Sequence, residues 1–225
     1  MRALFVLAVL LAIVGCAAQP TVTSDGLVSE RSAKFEELYL RPGADLSAYR
    51  RALIEPVPVK FAKDYLARQH GLNHLLAQPM GKPYQDPDAV AQDLAALMQA
   101  SLRDAFAAAH YEIAGESGPG VLRISARIDE LYINAPDELS SSIRAAANRD
   151  TGQATLSLEA ADSTTGQVLA RVMHRTIVRE ATGANLADDT TNRFWLETAF
   201  RRWAKNVTTE FGAGRRMQVS LGNQP

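Results

Sequence analysis

Two amphipathic stretches predict the main helices of the chain. Apolar residues recur at spacings of three and four over residues 86–109 and again over residues 190–211, which is the pattern of a helix with one core-facing stripe. Asp86 has the side chain of a good N-cap for the first helix. Gly212 is expected to end the second helix, because glycine is the usual residue after a helix C-terminus.

Four further stretches have the composition of strands. The clearest alternates small or branched apolar residues with Arg, Ser and Asp, which predicts a sheet with one buried face and one wet or partner-facing face. Pro56 and Pro58 lack amide donors, so the strand that contains them belongs at an edge of the sheet or at its exit. The predicted strands occupy residues 52–59, 121–133, 154–162 and 168–180.

The order of these elements predicts one α+β domain over residues 37–212. A strand, a helix, three strands and a closing helix imply a small, mostly antiparallel sheet of about four strands, with two main helices packed on one face. Residues 213–225 are then expected to form a disordered tail.

The N-terminus has the pattern of an export signal. An unbroken apolar run over residues 3–14 follows Arg2, and as a helix it spans only about 18 Å, short of a ~30 Å bilayer core. The run ends in Ile-Val-Gly-Cys, which resembles the bacterial lipobox, so we expect residues 1–15 to be removed and Cys16 to be acylated. The alternative is an ordinary signal peptide that is cut near Ala17.

The residues after Cys16 bear on location and spacing. Ala17, rather than Asp, favours the outer membrane over the inner membrane by analogy with known sorting behaviour. Residues 16–36 are predicted to be the lipidated N-terminus and a flexible tether. The apolar side chains of Leu27, Val28 and Phe35 are the ones within it that could dock onto the body.

Composition excludes several classes of protein. With 24 Lys and Arg against 25 Asp and Glu, the chain has no excess of cations with which to bind nucleic acid. Removal of residues 1–15 leaves 23 basic and 25 acidic residues, so no polybasic patch adds to the lipid as a membrane anchor. The single cysteine excludes an internal disulfide.

Candidate chemistry is sparse. His70 and His74 are four positions apart, which can place two imidazoles on one helix face, but Gly71 stands where a zincin would have glutamate and no third ligand can be assigned. They are weak metal candidates, with surface or loop histidines as the alternative. His174 is expected to be a hydrogen-bonded histidine of the core or its rim. No catalytic constellation and no cofactor motif is recognised, which predicts a protein without enzymatic activity.

Five arginines form a candidate interaction face. Their even spacing within each of two strands places them opposite the apolar set. One interpretation is a solvated face neutralised by Asp129, Glu159 and other acids, and the other is a docking surface for an anionic envelope polymer or another envelope protein. The arginines are Arg123, Arg127, Arg171, Arg175 and Arg179.

Three stretches resemble a family of proteobacterial lipoproteins that is known as domain of unknown function 3313. The resemblance covers about residues 36–212 and implies a lipidated envelope protein, with no catalytic residue to transfer. The stretches are YLRPGADLSAY at residues 39–49 with the following LIEPV, DSTTG at residues 162–166, and the closing helix from Asn192 through FRRWA at residues 200–204.

Together these observations predict a lipid-anchored envelope protein without enzymatic activity. Its location would be the periplasmic side of the outer membrane, and its role that of an interaction or structural module. The membrane, through Cys16, is the expected partner. The alternative is a periplasmic module that binds a small ligand or a metal.

Overall fold

The structure, a computed structural model, describes residues 21–63, 86–133, 150–179 and 189–221. Within them lie eight strands, two long helices and a short 3-10 turn at Leu46–Ala48. The helices are α1 (Pro87–Ala108) and α2 (Asp189–Leu221). The strands are β1 (Val28–Glu30), β2 (Glu37–Leu40), β3 (Arg51–Ile54), β4 (Val59–Phe61), β5 (Glu112–Ile113), β6 (Val121–Ile133), β7 (Asp150–Asp162) and β8 (Val168–Arg179).

All eight strands belong to one mixed sheet. Its order is β1-β2-β8-β7-β6-β3-β5, and β4 also pairs with β6. The pairs β3–β5, β3–β6 and β4–β6 are parallel. The pairs β1–β2, β2–β8, β8–β7 and β7–β6 are antiparallel. The prediction of a small, mostly antiparallel sheet of about four strands was therefore wrong, although the single α+β domain is confirmed. The added strands have only two to four residues, too few to show a periodicity.

Two prolines divide one predicted strand into two. The backbone follows β6 on both sides of the interruption, since Glu55 N donates to Ile124 O at 3.0 Å and Ile128 N donates to Pro58 O at 3.0 Å. Because a proline has no amide hydrogen, the ladder cannot continue through the Pro-Val-Pro segment. The predicted strand at residues 52–59 therefore becomes β3 and β4, which both run parallel to β6.

Helix α1 has a capping residue at each end. At its start, Asp86 Oδ1 accepts a hydrogen bond of 3.1 Å from Asp88 N, as expected for an N-cap. At its end, His110 N donates to Ala107 O and Tyr111 N donates to Phe106 O, both at 3.0 Å, and His110 has a φ of 65°. This is a Schellman C-cap with histidine in the left-handed position that glycine usually takes.

Helix α2 is longer than predicted. It begins at Asp189 and continues to Leu221, ten residues beyond Phe211, so Gly212 lies inside the helix. The expected end at residue 211 was wrong, and residues 213–221 of the expected disordered tail are helical. A glycine costs a helix about 1 kcal/mol but does not end it unless the chain also turns into the left-handed conformation.

The core lies between the two helices and one face of the sheet. The helices contact each other as well as the strands, and Phe106 of α1 meets Phe211 of α2 edge to face at 6.5 Å between ring centroids. On the sheet side, the same-parity positions of β6, β7 and β8 are buried: Leu122, Ile124, Ala126, Ile128, Ala154, Leu156, Leu158, Ala160, Ala170 and Val172.

The described part of the expected tether is attached to this body. Thr21 N donates to the Ser29 hydroxyl at 2.8 Å, and Val22 forms an isolated antiparallel bridge with Val28. Leu27 and Phe35 are buried, as expected for residues that dock onto the body. Within the described residues, the segment is attached to the body from Thr21 onward. Cys16, His70 and His74 lie outside the described residues.

Candidate functional site

The candidate interaction face is the side of the sheet opposite the helices. Alternation along β6 places Arg123 and Arg127 on it, and alternation along β8 places Arg171 and Arg175 on it. However, β7 runs between β6 and β8, so the two rows of arginines are separated by about 10 Å, two strand spacings. The guanidinium groups of the two rows therefore do not lie on adjacent strands.

The arginines of β6 have acidic neighbours. Arg123 Nε lies 3.9 Å from the carboxylate of Glu55, which also accepts a hydrogen bond from the Ser125 hydroxyl. Arg127 Nε lies 3.4 Å from Asp129 Oδ2, and it donates to the Ser157 hydroxyl at 2.9 Å. Because these groups are partly exposed, each pair stabilises the fold only slightly.

Arg171 is at the centre of a tighter group. Its Nε lies 2.7 Å from Glu159 Oε1, and its Nη2 lies 2.9 Å from Asp25 Oδ2. A hydrogen bond from the Thr23 hydroxyl and the guanidinium of Arg171 hold the pKa of Asp25 below its usual value. Glu159 is the neighbour of Arg171 across the β7–β8 ladder, but Asp25 comes from the N-terminal segment, so Arg171 joins this segment to the sheet.

The remaining positions of the face differ from one another. Arg175 is exposed, and its backbone N–H donates to Glu36 Oε2 at 3.3 Å, while the side chain of Arg179 is not described. Leu169, two positions before Arg171 in β8, is buried in the core. A register shift between Ala160 and Ala161 accompanies this burial near the β7–β8 turn. A docking role for the arginine face stays a prediction.

One end of the sheet is held by a network around Asp162. Its Oδ1 accepts from the amides of Thr164 and Thr165 at 3.0 and 2.7 Å, and its Oδ2 accepts from Tyr49 Oη at 2.8 Å. The Thr165 amide and then the Tyr49 hydroxyl hold the pKa of Asp162 below its usual value. Burial, followed by the Asp162 carboxylate, raises the pKa of Tyr49 to about 12.

The same network joins the two turn-forming stretches of the family resemblance. Ser163 Oγ donates to Gly118 O and accepts from Gly118 N, both at 3.0 Å. Arg41 Nε donates to Val168 O, and Gly166 has the positive φ, 73°, that closes the turn. These residues therefore act in holding loops together, which is a structural role.

A second cluster brings together Phe35, His174 and Trp203. His174 of β8 and Trp203 of α2 both meet the Phe35 ring edge to face, at 6.2 and 6.4 Å between centroids. Neither His174 Nδ1 nor Trp203 Nε1 has a hydrogen-bond partner among the described residues. The hydrogen bond predicted for His174 is thus not found at Nδ1 within those residues. Sequence alternation placed His174 on the inner face, but nothing in the sequence indicated its proximity to Trp203.

The described residues contain neither a helix suited to span a membrane nor a cluster suited to hold a metal ion. None of their helices is both long enough and apolar enough to cross a membrane. In the ranges 21–63, 86–133, 150–179 and 189–221, no three His, Cys, Asp or Glu side chains are placed to hold a metal ion. The weak candidates His70 and His74 lie outside those ranges.

An α+β domain with one helix-covered sheet face and one charged face defines the class of this protein. Residues 18–207 match the family described as a protein of unknown function, DUF3313. The chain belongs to this family, as the resemblance of its three stretches implied.

Other comparisons add little to this assignment. No curated protein matches the chain. Among solved structures, a PelC dodecamer from Paraburkholderia phytofirmans is similar with 8% identity, a TM-score of 0.40 and coverage of 75% of this chain and 95% of that one. Protein XCC0632 from Xanthomonas campestris is similar with 13% identity, a TM-score of 0.40 and coverage of 80% and 93%. Likenesses this distant carry no argument about function.

Proposed function

We propose that the protein is a lipoprotein of the bacterial outer membrane, anchored through acylated Cys16, with its body in the periplasm. Its role is that of an interaction or structural module without enzymatic activity. The observation that carries the proposal is the Ile-Val-Gly-Cys sequence at the end of an apolar run, since this position combines an export signal with an acylation site. Three acyl chains, at ~0.8 kcal/mol per buried CH₂, hold a protein on a membrane effectively permanently.

The polar groups of the described residues support a binding role over catalysis. Arg171, Asp162 and Ser163 are each engaged by groups of this same chain. These contacts fix strands and turns, whereas a catalytic group must also present a reactive atom to a substrate. The charged sheet face is the surface most suited to another envelope component, because it combines both signs of charge with the half-buried Met173.

Intact-mass measurement of the protein extracted from membranes tests the anchor. The wild type is expected to lack residues 1–15 and to carry a diacylglyceryl group on Cys16 together with an amide-linked acyl chain. Cys16→Ala should lose both the lipid mass and the membrane fractionation of the mature protein, whereas Ala18→Ser, which leaves the Gly-Cys junction unchanged, should keep both. A mature Cys16→Ala protein that remains in the membrane fraction would refute the anchor.

Density-gradient separation of inner and outer membranes tests the location. The wild type is expected in the outer-membrane fraction. Ala17→Asp should move the protein to the inner membrane without altering its lipid mass. A wild type that is found in the inner membrane would contradict the outer-membrane assignment while leaving the lipid anchor intact.

His174 Nδ1 and Trp203 Nε1, which have no hydrogen-bond partner in the part of the chain that the structure describes, favour a second candidate function, the binding of a small polar ligand in the periplasm. An unpaired buried N–H costs on the order of 1–3 kcal/mol, so a ligand that accepts from Trp203 Nε1 would recover this energy. Native mass spectrometry of the detergent-solubilised lipoprotein should then detect a bound small molecule that is lost in Trp203→Phe. A spectrum of the wild type without any adduct would count against this candidate.

A further inference from the structure

The chain between the acylation site and the fixed body is short. Five residue steps separate Cys16 from Thr21, and a fully extended chain spans at most ~3.6 Å per residue, or about 18 Å here. Thr21 is already attached to the body, because its backbone N–H donates to the Ser29 hydroxyl at 2.8 Å. The reach of the anchor is therefore shorter than the body is wide.

The segment that follows Thr21 is held in place by several contacts. Residues 23–27 form a tight turn in which Gly26 has a φ of 80° and Thr23 N donates to Leu27 O at 2.9 Å. Leu27 at its end is fully buried. The turn is joined to the rest of the sheet by Asp25, whose carboxylate pairs with Arg171 and whose carbonyl accepts from Arg41 Nη2 at 2.9 Å. This segment thus cannot act as a long tether while these contacts persist.

The edge of the sheet next to this turn has an apolar residue turned outward. Val22 is 63% exposed, and among the described residues it is the large hydrophobic side chain that is most open to solvent. It bridges to Val28 of the edge strand β1, and it is separated from the acylation site by only six residue steps. Because it lies so few residues from Cys16, this valine is within reach of the boundary between lipid headgroups and acyl chains.

We propose that the β1 edge of the sheet, consisting of Val22 and Val28–Glu30, is a membrane-proximal surface that rests against the phospholipid headgroups of the leaflet in which Cys16 is anchored. This inference rests on the proposed lipid anchor. Because β5 lies six strand positions from β1, the opposite edge is about 29 Å away along the sheet. The sheet then stands on its β1 edge, with the charged face turned sideways and open to the periplasm.

Two matched cysteine variants measure this orientation. Glu30 at the end of β1 and Glu112 in β5 are both exposed glutamates on opposite edges of the sheet. The chain has one native cysteine, and its acylation leaves an introduced cysteine as the single free thiol. Glu30→Cys and Glu112→Cys are each labelled with a fluorophore, and the lipoprotein is reconstituted into phosphatidylethanolamine–phosphatidylglycerol vesicles that contain a headgroup-bound quencher.

We expect quenching several-fold stronger for the label at residue 30 than for the label at residue 112. Insertion of a twelve-residue Gly-Ser linker after Ala18 adds roughly 19 Å of average reach, and it should reduce the quenching at residue 30 to the level at residue 112 while both proteins stay on the vesicles. Equal quenching at the two sites without the linker, or no effect of the linker, would overturn the inference.

The failure of the anchor itself is recognised separately. Intact mass of the labelled protein shows whether Cys16 has its acyl groups before the vesicles are formed. A protein without lipid mass refutes the proposed function, and with it the basis of the orientation. A lipidated protein with equal quenching at residues 30 and 112 refutes the orientation alone.

Discussion

Removal of one hydroxyl, in Tyr49→Phe, tests whether the network around Asp162 holds the end of the sheet. Tyr49 Oη donates to Asp162 Oδ2 at 2.8 Å, and the two residues are 113 positions apart in the chain. The bond thus joins the segment before β3 to the turn between β7 and β8. Phenylalanine keeps the ring and its packing, so the substitution isolates the hydrogen bond.

The size of the effect follows from the surroundings of the two groups. A hydrogen bond to an ionised carboxylate contributes about 1.5–3 kcal/mol when it is well buried. Both residues here are half-buried, and Asp162 keeps the amides of Thr164 and Thr165 as donors, so its carboxylate is not left without partners. We therefore expect Tyr49→Phe to lower the free energy of unfolding by about 1–1.5 kcal/mol at neutral pH.

The pH dependence has a defined sign at each end. Since the pKa of Tyr49 is raised from 10.0 to about 12, its stabilising effect is complete below pH 10 and is lost as the pH rises toward 12. The pKa of Asp162 is lowered from 3.8, so its effect is present above that ordinary value and is lost as the pH falls through the lowered one. The difference between wild type and Tyr49→Phe should be largest between these two limits.

Urea unfolding followed by circular dichroism measures this difference, and a double-mutant cycle with Asp162→Asn isolates the pair. The coupling energy should reach about 0.5–1.5 kcal/mol, the range found for residues in contact. Tyrosinate absorbance of the wild type minus that of Tyr49→Phe should show a phenol that titrates near pH 12. A Tyr49→Phe protein within ~0.3 kcal/mol of the wild type, or a coupling energy of zero, would refute this reasoning.

Three further substitutions test other contacts. Arg171→Met removes the ion pairs with Glu159 and Asp25. Hydrogen-exchange mass spectrometry should then show faster amide exchange in β1 with little change elsewhere. A uniform increase over the whole protein would contradict the role of Arg171 in holding the N-terminal segment on the sheet. His110→Gly should raise the free energy of unfolding by about 0.5–1 kcal/mol in urea, because glycine adopts the positive φ without strain, and a loss would argue against the C-cap assignment. Trp203→Phe should change the free energy of unfolding by less than about 1 kcal/mol, whereas Trp203→Ala should lower it by about 3–5 kcal/mol. A large effect of Trp203→Phe would show that Trp203 Nε1 has a hydrogen-bond partner.

Local signals were sufficient for the long elements. The start of α1 follows from its capping residue, which is used as predicted, and a proline occupies the first turn. Strand β6 has the predicted bounds, Val121–Ile133. It could be predicted because a strand of thirteen residues is long enough to show the alternation of apolar and polar residues. The end of α2 was misjudged because Gly212 marks a helix end only together with a left-handed turn.

The short strands could not be predicted from local sequence patterns. β2 has four residues and is a strand because Leu38 and its neighbours pair with Val172 and the rest of β8, which lies far along the chain. β5 has two residues, and it is defined by its parallel pairing with β3. Such elements are set by tertiary contacts, and a period of two cannot be recognised in two to four positions.

The candidate face was predictable as a face but not as a set of contacts. The alternation along each strand places Arg123, Arg127 and Arg171 on the face opposite the apolar residues. Two of their acidic partners were also named from sequence: Asp129 pairs with Arg127 on the same strand, and Glu159 pairs with Arg171 on the adjacent strand. Other partners come from outside the three long strands, as Glu55 does for Arg123. The order β6-β7-β8, which separates the two arginine rows, depends on strand pairing that parity does not reveal.

The contacts of Arg171 connect the charged face of the sheet with the N-terminal segment. An anionic partner that approaches the guanidinium of Arg171 also meets the carboxylates of Glu159 and Asp25, which lie 2.7 and 2.9 Å from it. Displacement of Asp25 would also release a contact that holds the turn at residues 23–27, and this turn lies between Cys16 and the first strand in the sequence. An anion that displaced Asp25 from the guanidinium of Arg171 would therefore weaken the attachment of the N-terminal segment, because this ion pair is one of the contacts that join the segment to the sheet.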